Sequence, residues 1–363
     1  MSTLFDIWNN IQYSLFPWLE EAHDPLSEKE KRFVQTISLM DLQKYMTKYR
    51  WRGKGRMRKD RTSNAKAFIA KAVYNFETTD ILIEYLHGCK NLRRLCGWEY
   101  SWNVPSKATF SRAFAEFSDG NLTQTVHAAM VKHHYGDKLA GHISRDSTAI
   151  EAREKPMKKK PCVKPPKRKP GRPKKGEIVA PKPPKRLDLQ PTRTLAENLL
   201  DLPSQCNVGT KKNSKGYKES WTGYKLHVDC IDGDIPVSTI LTSASLHDSQ
   251  AAIPLAQMSQ ERLTSLYDLM DSAYDAPQIH GFSKGLGHKP IIDNNPRRGT
   301  KVYMDPPTHK RFGQRGSVER VNAYLKDNHG GRNVRVRGSA KVMTHLMFGI
   351  IVITATQLFR LLA

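Results

Sequence analysis

The chain has 363 residues, enough for two domains whose cores need no disulfide or metal staple. Fifty-nine lysines and arginines against 35 acids leave a formal net charge of +24, which points to a polyanionic partner, nucleic acid ahead of an anionic membrane, and away from a small-molecule enzyme. The five cysteines (Cys89, Cys96, Cys162, Cys206 and Cys230) are odd in number and contain no CxxC pair, which argues against a disulfide framework and a zinc ribbon and for a reducing, cytoplasmic setting.

Residues 1–135 read as an all-helical domain. Its first stretch lacks the basic start and apolar block of a signal peptide. Phe68, Ile69, Ala72, Val73 and Phe76 follow the spacing of a buried helix face, and Ile81, Leu82, Tyr85 and Leu86 repeat it. Pro105-Ser106-Lys107 offers a cap and first turn to a helix with Phe110, Phe114 and Phe117 on one face and Lys107, Ser111 and Arg112 elsewhere. That helix is either the second of a helix-turn-helix unit or an ordinary amphipathic one. His133-His134 has no further ligand at zinc spacing and reads as a solvated helix end.

From residue 136 the period changes, and 136–363 reads as an α/β domain around one mixed sheet. Residues 143–150 suit a strand. Tyr224, Leu226, Val228 and Cys230 alternate with polar neighbours, and Asp232-Gly233 turns the chain back into 235–241, a hairpin. A strand at 266–270 runs into Asp271, and another at 290–292 runs into Asp293. Helical patterns follow at about 313–328 and 341–362. In the last, the uninterrupted apolar run 346–353 is short of the about 20 residues a membrane span needs, so a buried core helix and no membrane are expected.

Residues 155–190 break this domain as a basic, proline-rich insertion. Within 155–186, fourteen cations, nine prolines and one acid (Glu177) carry +13, more than half of the net charge, and favour an extended, disordered tether. Its Lys169-Pro170-Gly171-Arg172-Pro173-Lys174-Lys175 resembles an AT-hook: Arg172 would enter a narrow A·T-rich minor groove while Lys174 and Lys175 neutralise phosphates.

The chemistry points to Phe312-x2-Arg315-x3-Glu319-x6-Lys326. On one continuous helix these offsets fall within about 60° of each other, giving a face with an aromatic ring, a guanidinium, a carboxylate and an ammonium. Arg315 and Glu319 are also an ordinary i,i+4 ion pair. Phosphodiester chemistry by two divalent ions about 4 Å apart needs further carboxylates, and Asp146 and Asp271 stand on or at the end of predicted strands. Asp268 and Asp275 compete with Asp271, which is preferred because strand ends are where open sheets place their sites.

With these residues in view, the chain resembles the bacterial insertion-sequence transposases of the Asp-Asp-Glu type, in the group with a Tyr-x2-Arg-x3-Glu-x6-Lys signature. The resemblance makes Asp146, Asp271 and Glu319 the catalytic residues and the ligands of Mg²⁺ or Mn²⁺. It puts Arg315 and Lys326 around the scissile phosphate. Phe312 stands where the family has tyrosine, keeping the ring and losing a hydrogen bond worth about 1 kcal/mol. Trp221-Thr-Gly-Tyr-Lys225, whose Lys225 would face DNA, and His247-Asp-Ser249 are similar to stretches of these enzymes. The resemblance implies a ribonuclease-H-like catalytic domain preceded by an all-helical DNA-binding domain. The partners are double-stranded DNA, as transposon ends and target, and a second copy of the chain at least on DNA. A metal-dependent nuclease of the same fold and a non-catalytic DNA-binding protein remain as alternatives.

Removing residues 155–186 is expected to weaken DNA binding and flatten its salt dependence, measured by fluorescence anisotropy across a salt series. Unchanged binding at low salt would make the insertion a bystander.

Overall fold

The computed structural model describes residues 3–22, 24–51, 53, 55, 57–158, 184–212, 215–296 and 299–362. Arg172, Lys174, Lys175 and the rest of the AT-hook-like stretch lie outside the described residues, as does Cys162.

The first third of the chain is helical: α1 (Leu4–Asn10), α2 (Phe16–Ala22), α3 (Glu28–Met40), α4 (Leu42–Met46), α5 (Arg61–Tyr74), α6 (Thr79–Gly88), α7 (Lys90–Cys96), α8 (Lys107–Asp119) and α9 (Leu122–Tyr135). The starts are set by side-chain caps. Ser27 and Glu30 form a capping box on α3, and Asp60 accepts the Ser63 N–H at 2.8 Å to start α5. Phe110, Phe114 and Phe117 of α8 are buried, while Lys107 crosses to Asp80 on α6. His134 is buried against the expectation of a solvated helix end, because α9 turns that side toward the interior.

The strands are β1 (Leu139–Glu151), β2 (Asn207–Lys212), β3 (Lys218–Ile231), β4 (Ile235–Ser243), β5 (Thr264–Met270) and β6 (Lys289–Ile292). The sheet order is β2-β3-β1-β5-β6, with β4 also paired to β3. β1, β2, β3 and β4 pair antiparallel, whereas β1, β5 and β6 run parallel, so the sheet is mixed. The β3–β4 turn puts Gly233 (φ 81°) and Asp234 (φ 60°) in the left-handed region, which glycine and aspartate tolerate best.

The other helices are α10 (Arg186–Leu189), α11 (Leu195–Asp201), α12 (Ser249–Gln260), α13 (Pro277–Gly285), α14 (Pro306–Phe312), α15 (Gly316–Asn328) and α16 (Ser339–Arg360). Two expectations need correction. The insertion, expected to stay disordered to 190, is already helical at Arg186: Arg186 bonds Asp201 at 2.7 Å, Leu187 packs beside Met270 and Tyr274, and Gln190 is fully buried. The helix expected through 312–326 is broken by a 3₁₀ turn, Gly313–Arg315. Glycines at 313 and 316 weaken the α-helix there, so Phe312 closes α14, Arg315 stands in the turn, and Glu319 and Lys326 lie on α15.

The apolar C-terminal segment is a core helix. α16 is long and apolar enough to cross a membrane, yet 83% of its most apolar window is buried within the protein. Phe348 on α16 stacks on Phe68 of α5 at 5.7 Å, while Leu346, Met347 and Ile350 pack with Val318, Val321 and Leu325 of α15. The helical portion and the sheet thus share a core through α16. Replacing Phe348 by alanine is expected to cost about 3–5 kcal/mol and to shift helix and sheet unfolding together, seen as coincident urea transitions by far-ultraviolet dichroism and tryptophan fluorescence.

Candidate active site

The parallel pairing of β1 with β5 builds the site. Its last registered pair is Arg145 opposite Met270, and the next residue on each chain is an aspartate, Asp146 and Asp271. Neighbouring strands lie about 4.8 Å apart, so the register brings these two carboxylates together. Side chains alternate along β1. Arg145 enters the face covered by α12, where Asp229 receives it bidentately at 2.7 Å and Ser259 donates to Asp229 at 2.7 Å. Ser144 and Asp146 lie on the opposite face, under α15: the Ser144 hydroxyl reaches the Gln314 carbonyl at 3.3 Å, and Ile150 packs with Val318, Val321 and Leu325.

α15 is held over that face by its apolar stripe and by Asp234 of the β3–β4 turn, which accepts Arg320 bidentately at 2.7 and 2.8 Å. Arg315, at the entrance to α15, points its guanidinium between two acids. It lies 2.5 Å from Glu319 and 3.8 Å from Asp271. The Arg315 side chain is 15% exposed against 60% for Glu319, and the Arg315 Nε is buried without a hydrogen-bond partner among the described residues. Phe312 lies beside it, 6.0 Å from guanidinium carbon to ring centre.

The electrostatics are those of crowded negative charge. Burial pushes the Asp146 carboxyl up to about 6; Arg315 and the Ser147 N–H pull it back, and Asp271 and Asp248 push it further. Burial also raises Asp271, against the Ala273 N–H (2.9 Å) and Arg315. Asp248, at the start of α12, is pushed up by burial but comes out below the usual range because His227, Lys225 and a hydrogen bond from Ser147 outweigh it. The Tyr274 hydroxyl, fully buried among Asp248, Asp146 and Asp271, has no hydrogen-bond partner among the described residues.

Asp146 and Asp271 therefore come together with Arg315 beside them, Glu319 reaches this group only through Arg315, and Phe312 lies at the edge. Lys326 lies two turns along α15 from Glu319, beside Lys211 and Arg332, whose charges together with burial lower its pKa. Lys225 does not face open solvent: its ammonium donates to Asp248 at 2.9 Å and to the Leu246 carbonyl at 2.8 Å. Of the two competitors for Asp271, Asp268 is buried against Ser283 and His288, and Asp275 accepts the Asn295 N–H at 2.9 Å. Asp248 and Tyr274 were not singled out from the sequence as site residues, although Asp248 sits in the His247-Asp-Ser249 stretch quoted above and Tyr274 follows Asp271 by three residues.

Carboxylate oxygens are the donor set of Mg²⁺ and Mn²⁺. Asp146 and Asp271 fit such an ion, since a cation beside them would offset the burial and the neighbouring negative charge that raise them. Glu319 is held instead by Arg315, and among the described residues no three acidic, histidine or cysteine side chains converge at metal-ligating spacing.

Residues 139–355, more than half of the chain, match the family model described as Transposase DDE domain. Residues 20–116 match a second one, Transposase domain (DUF772). No curated protein and no solved structure matches the chain. DDE transposases generally use divalent metals, and the mixed sheet with its helical N-terminal region fits that family.

In the metal-free protein Asp146 opposes folding. Its carboxyl titrates near 3.8 when unfolded and near 6 when folded, so the folded state holds the extra proton between those values and stability falls as pH rises through that window. Asp146→Asn is expected to match the wild type below pH 4 and to exceed it by up to about 3 kcal/mol above pH 7. Urea titrations at pH 4 and pH 7.5 check this; equal gains at both values would contradict it.

Proposed function

We propose, on the premise that this chain belongs to the DDE transposase family and is a transposase, that it serves a bacterial insertion sequence of the Tyr-x2-Arg-x3-Glu-x6-Lys group. It binds the terminal repeats, cuts DNA at the ends of the element and joins the freed 3′-hydroxyls to target DNA. The observation that carries this reading is the meeting of Asp146 and Asp271 at neighbouring parallel strands, with Arg315 reaching from the helix that bears Glu319. The sheet order and the position of the acids support a ribonuclease-H-like catalytic domain following a helical DNA-binding domain.

In this reading Asp146, Asp271 and Glu319 are the catalytic residues and would hold two Mg²⁺ or Mn²⁺ ions. When bound, such ions supply Lewis-acid activation of the attacking oxygen and neutralise charge at phosphorus. The chain's own groups do the rest. Arg315, with a guanidinium N–H still unsatisfied, exchanges Glu319 for a phosphate oxygen and so frees the carboxylate. Phe312 offers a ring face beside that phosphate for a base to stack on. Lys326 neutralises the backbone two helical turns further along, and Lys225 acts through Asp248, which it holds in place. Arg172, Lys174 and Lys175 add AT-hook-like minor-groove contacts. Because both ends are cut and joined together, two copies assemble on the DNA.

A labelled duplex from the end of its own element tests this. In Mg²⁺ the wild type is expected to cut it and join its 3′ end to a second duplex, while Glu319→Gln binds equally well and cuts at least about 100-fold more slowly, a loss on the scale of other transition-state contacts. Cutting without joining would make the protein a nuclease. Equal cutting by both would reduce Glu319 to an ion-pair partner of Arg315, and tight binding without cutting by either would leave a DNA-binding protein.

A further inference from the structure

Away from the acids, a cleft of about 630 Å³ separates α5, α6 and α8 from the chain that links α15 to α16. Six cations line it, drawn from four separate stretches of sequence: Lys71, Lys107, Arg153, Arg335, Arg337 and Lys341. The two acids in the lining are already engaged, Glu77 by Arg335 at 3.0 Å and Asp80 by Lys107 at 2.5 Å. The floor is apolar, with Phe68, Phe114 and Phe348. Low-dielectric walls carrying one sign of charge focus the field into the opening. His329 and His345 add no positive charge, because each bonds a backbone carbonyl at 3.0 Å and burial lowers both pKa values, His345 to about 4. Burial and Arg335 bring Lys71 down to about 8, so the cleft as it stands repels its own cations.

The cleft opens where α15 ends. From Glu319 to Asn328 the helix rises about 14 Å, or about four nucleotides of a DNA strand. Lys326, Lys211 and Arg332 cluster along that interval. A run of cations therefore leads from the acids into the cleft.

We propose that this cleft grips the sugar-phosphate backbone of the DNA being cut, about four nucleotides from the scissile phosphate. The inference rests on the reading of the chain as a DNA-cutting enzyme and adds where the helical portion and the C-terminal segment hold that DNA jointly. Arg153, Arg337 and Lys341, exposed on the rim, take phosphates directly, while Lys71 supplies charge from below.

The test uses the full chain and a labelled duplex, with anisotropy measured across a salt series. The triple variant Arg153→Gln, Arg337→Gln, Lys341→Gln is compared with one of equal charge loss elsewhere, Lys132→Gln, Lys138→Gln, Lys284→Gln, at exposed positions outside the cleft lining. The cleft variant is expected to lose about tenfold or more in affinity near 0.1 M salt and close to three units of log–log salt slope, with the control near wild type. Both should keep the wild-type melting temperature, since all six side chains lie at the surface. Equal losses in the two variants, or none in the cleft variant, would overturn the cleft assignment while leaving the transposase reading intact. A wild type that binds no duplex even at low salt would overturn the DNA-cutting reading and the cleft with it.

Discussion

Two carboxylates lie side by side because β1 and β5 pair in parallel with one register. A slip of β1 by one residue would turn Asp146 to the other face and put Arg145 under α15, away from Asp229 on β3. On that other face the fully buried Arg145 is held bidentately by Asp229 of β3, which also accepts from Ser259 of α12, and its guanidinium reaches the Met270 sulfur of β5 at 3.5 Å, so β1 is anchored to both of its neighbours. Leaving either charge of such a pair alone costs about 3–5 kcal/mol, far more than a surface contact. A structural ion pair on one side of the sheet thus holds the acidic cluster on the other.

Arg315 is the counterweight. Burial raises both Asp146 and Asp271, nearby acids add to it (Asp271 and Asp248 for the first, Asp248 and Asp293 for the second), and the Arg315 guanidinium pulls each back. It stands in the 3₁₀ turn at the entry of α15, and Asp234 and the Ser144–Gln314 contact hold that turn and helix to the sheet. The same guanidinium keeps Glu319 out of the acidic cluster. One residue therefore sets the charge balance of the whole site, pairing with Glu319 on one side and compensating the two aspartates on the other.

Much of this was legible in the sequence. The hairpin showed in the alternation from Tyr224 to Cys230, the core role of α16 in its broken apolar run, and the strand ends before Asp271 and Asp293 in short apolar segments. β2 was missed because Asn207–Lys212 is an exposed edge with no apolar alternation, and the lysines that protect such an edge erase the pattern. The break at Gly313–Arg315 was missed because the spacing of the four motif residues also satisfies an unbroken helix. Asp248 and Tyr274 carry no local signal, since each becomes part of the site only when α12 and the turn after β5 close on the end of β1. The paired state of Lys225 was hidden for the same reason, its partner lying 23 residues away.

The charge is distributed with the same logic as the site. The acids gather where β1 meets β5, and cations gather beyond the far end of α15, each group held by apolar packing that must offset its self-repulsion. α16 is the common support: it packs with α15 at the sheet through Leu346, Met347 and Ile350, and it underlies the cationic cleft through Phe348. A bare protein keeps both groups strained, and neither can neutralise the other across the length of α15. In the proposed reading a DNA strand with its counter-cations supplies the complementary pattern, phosphates for the cleft and metal ions for the acids. On that reading binding relieves at both ends the repulsion that folding leaves in place, and couples the grip on the DNA to the assembly of the acidic site.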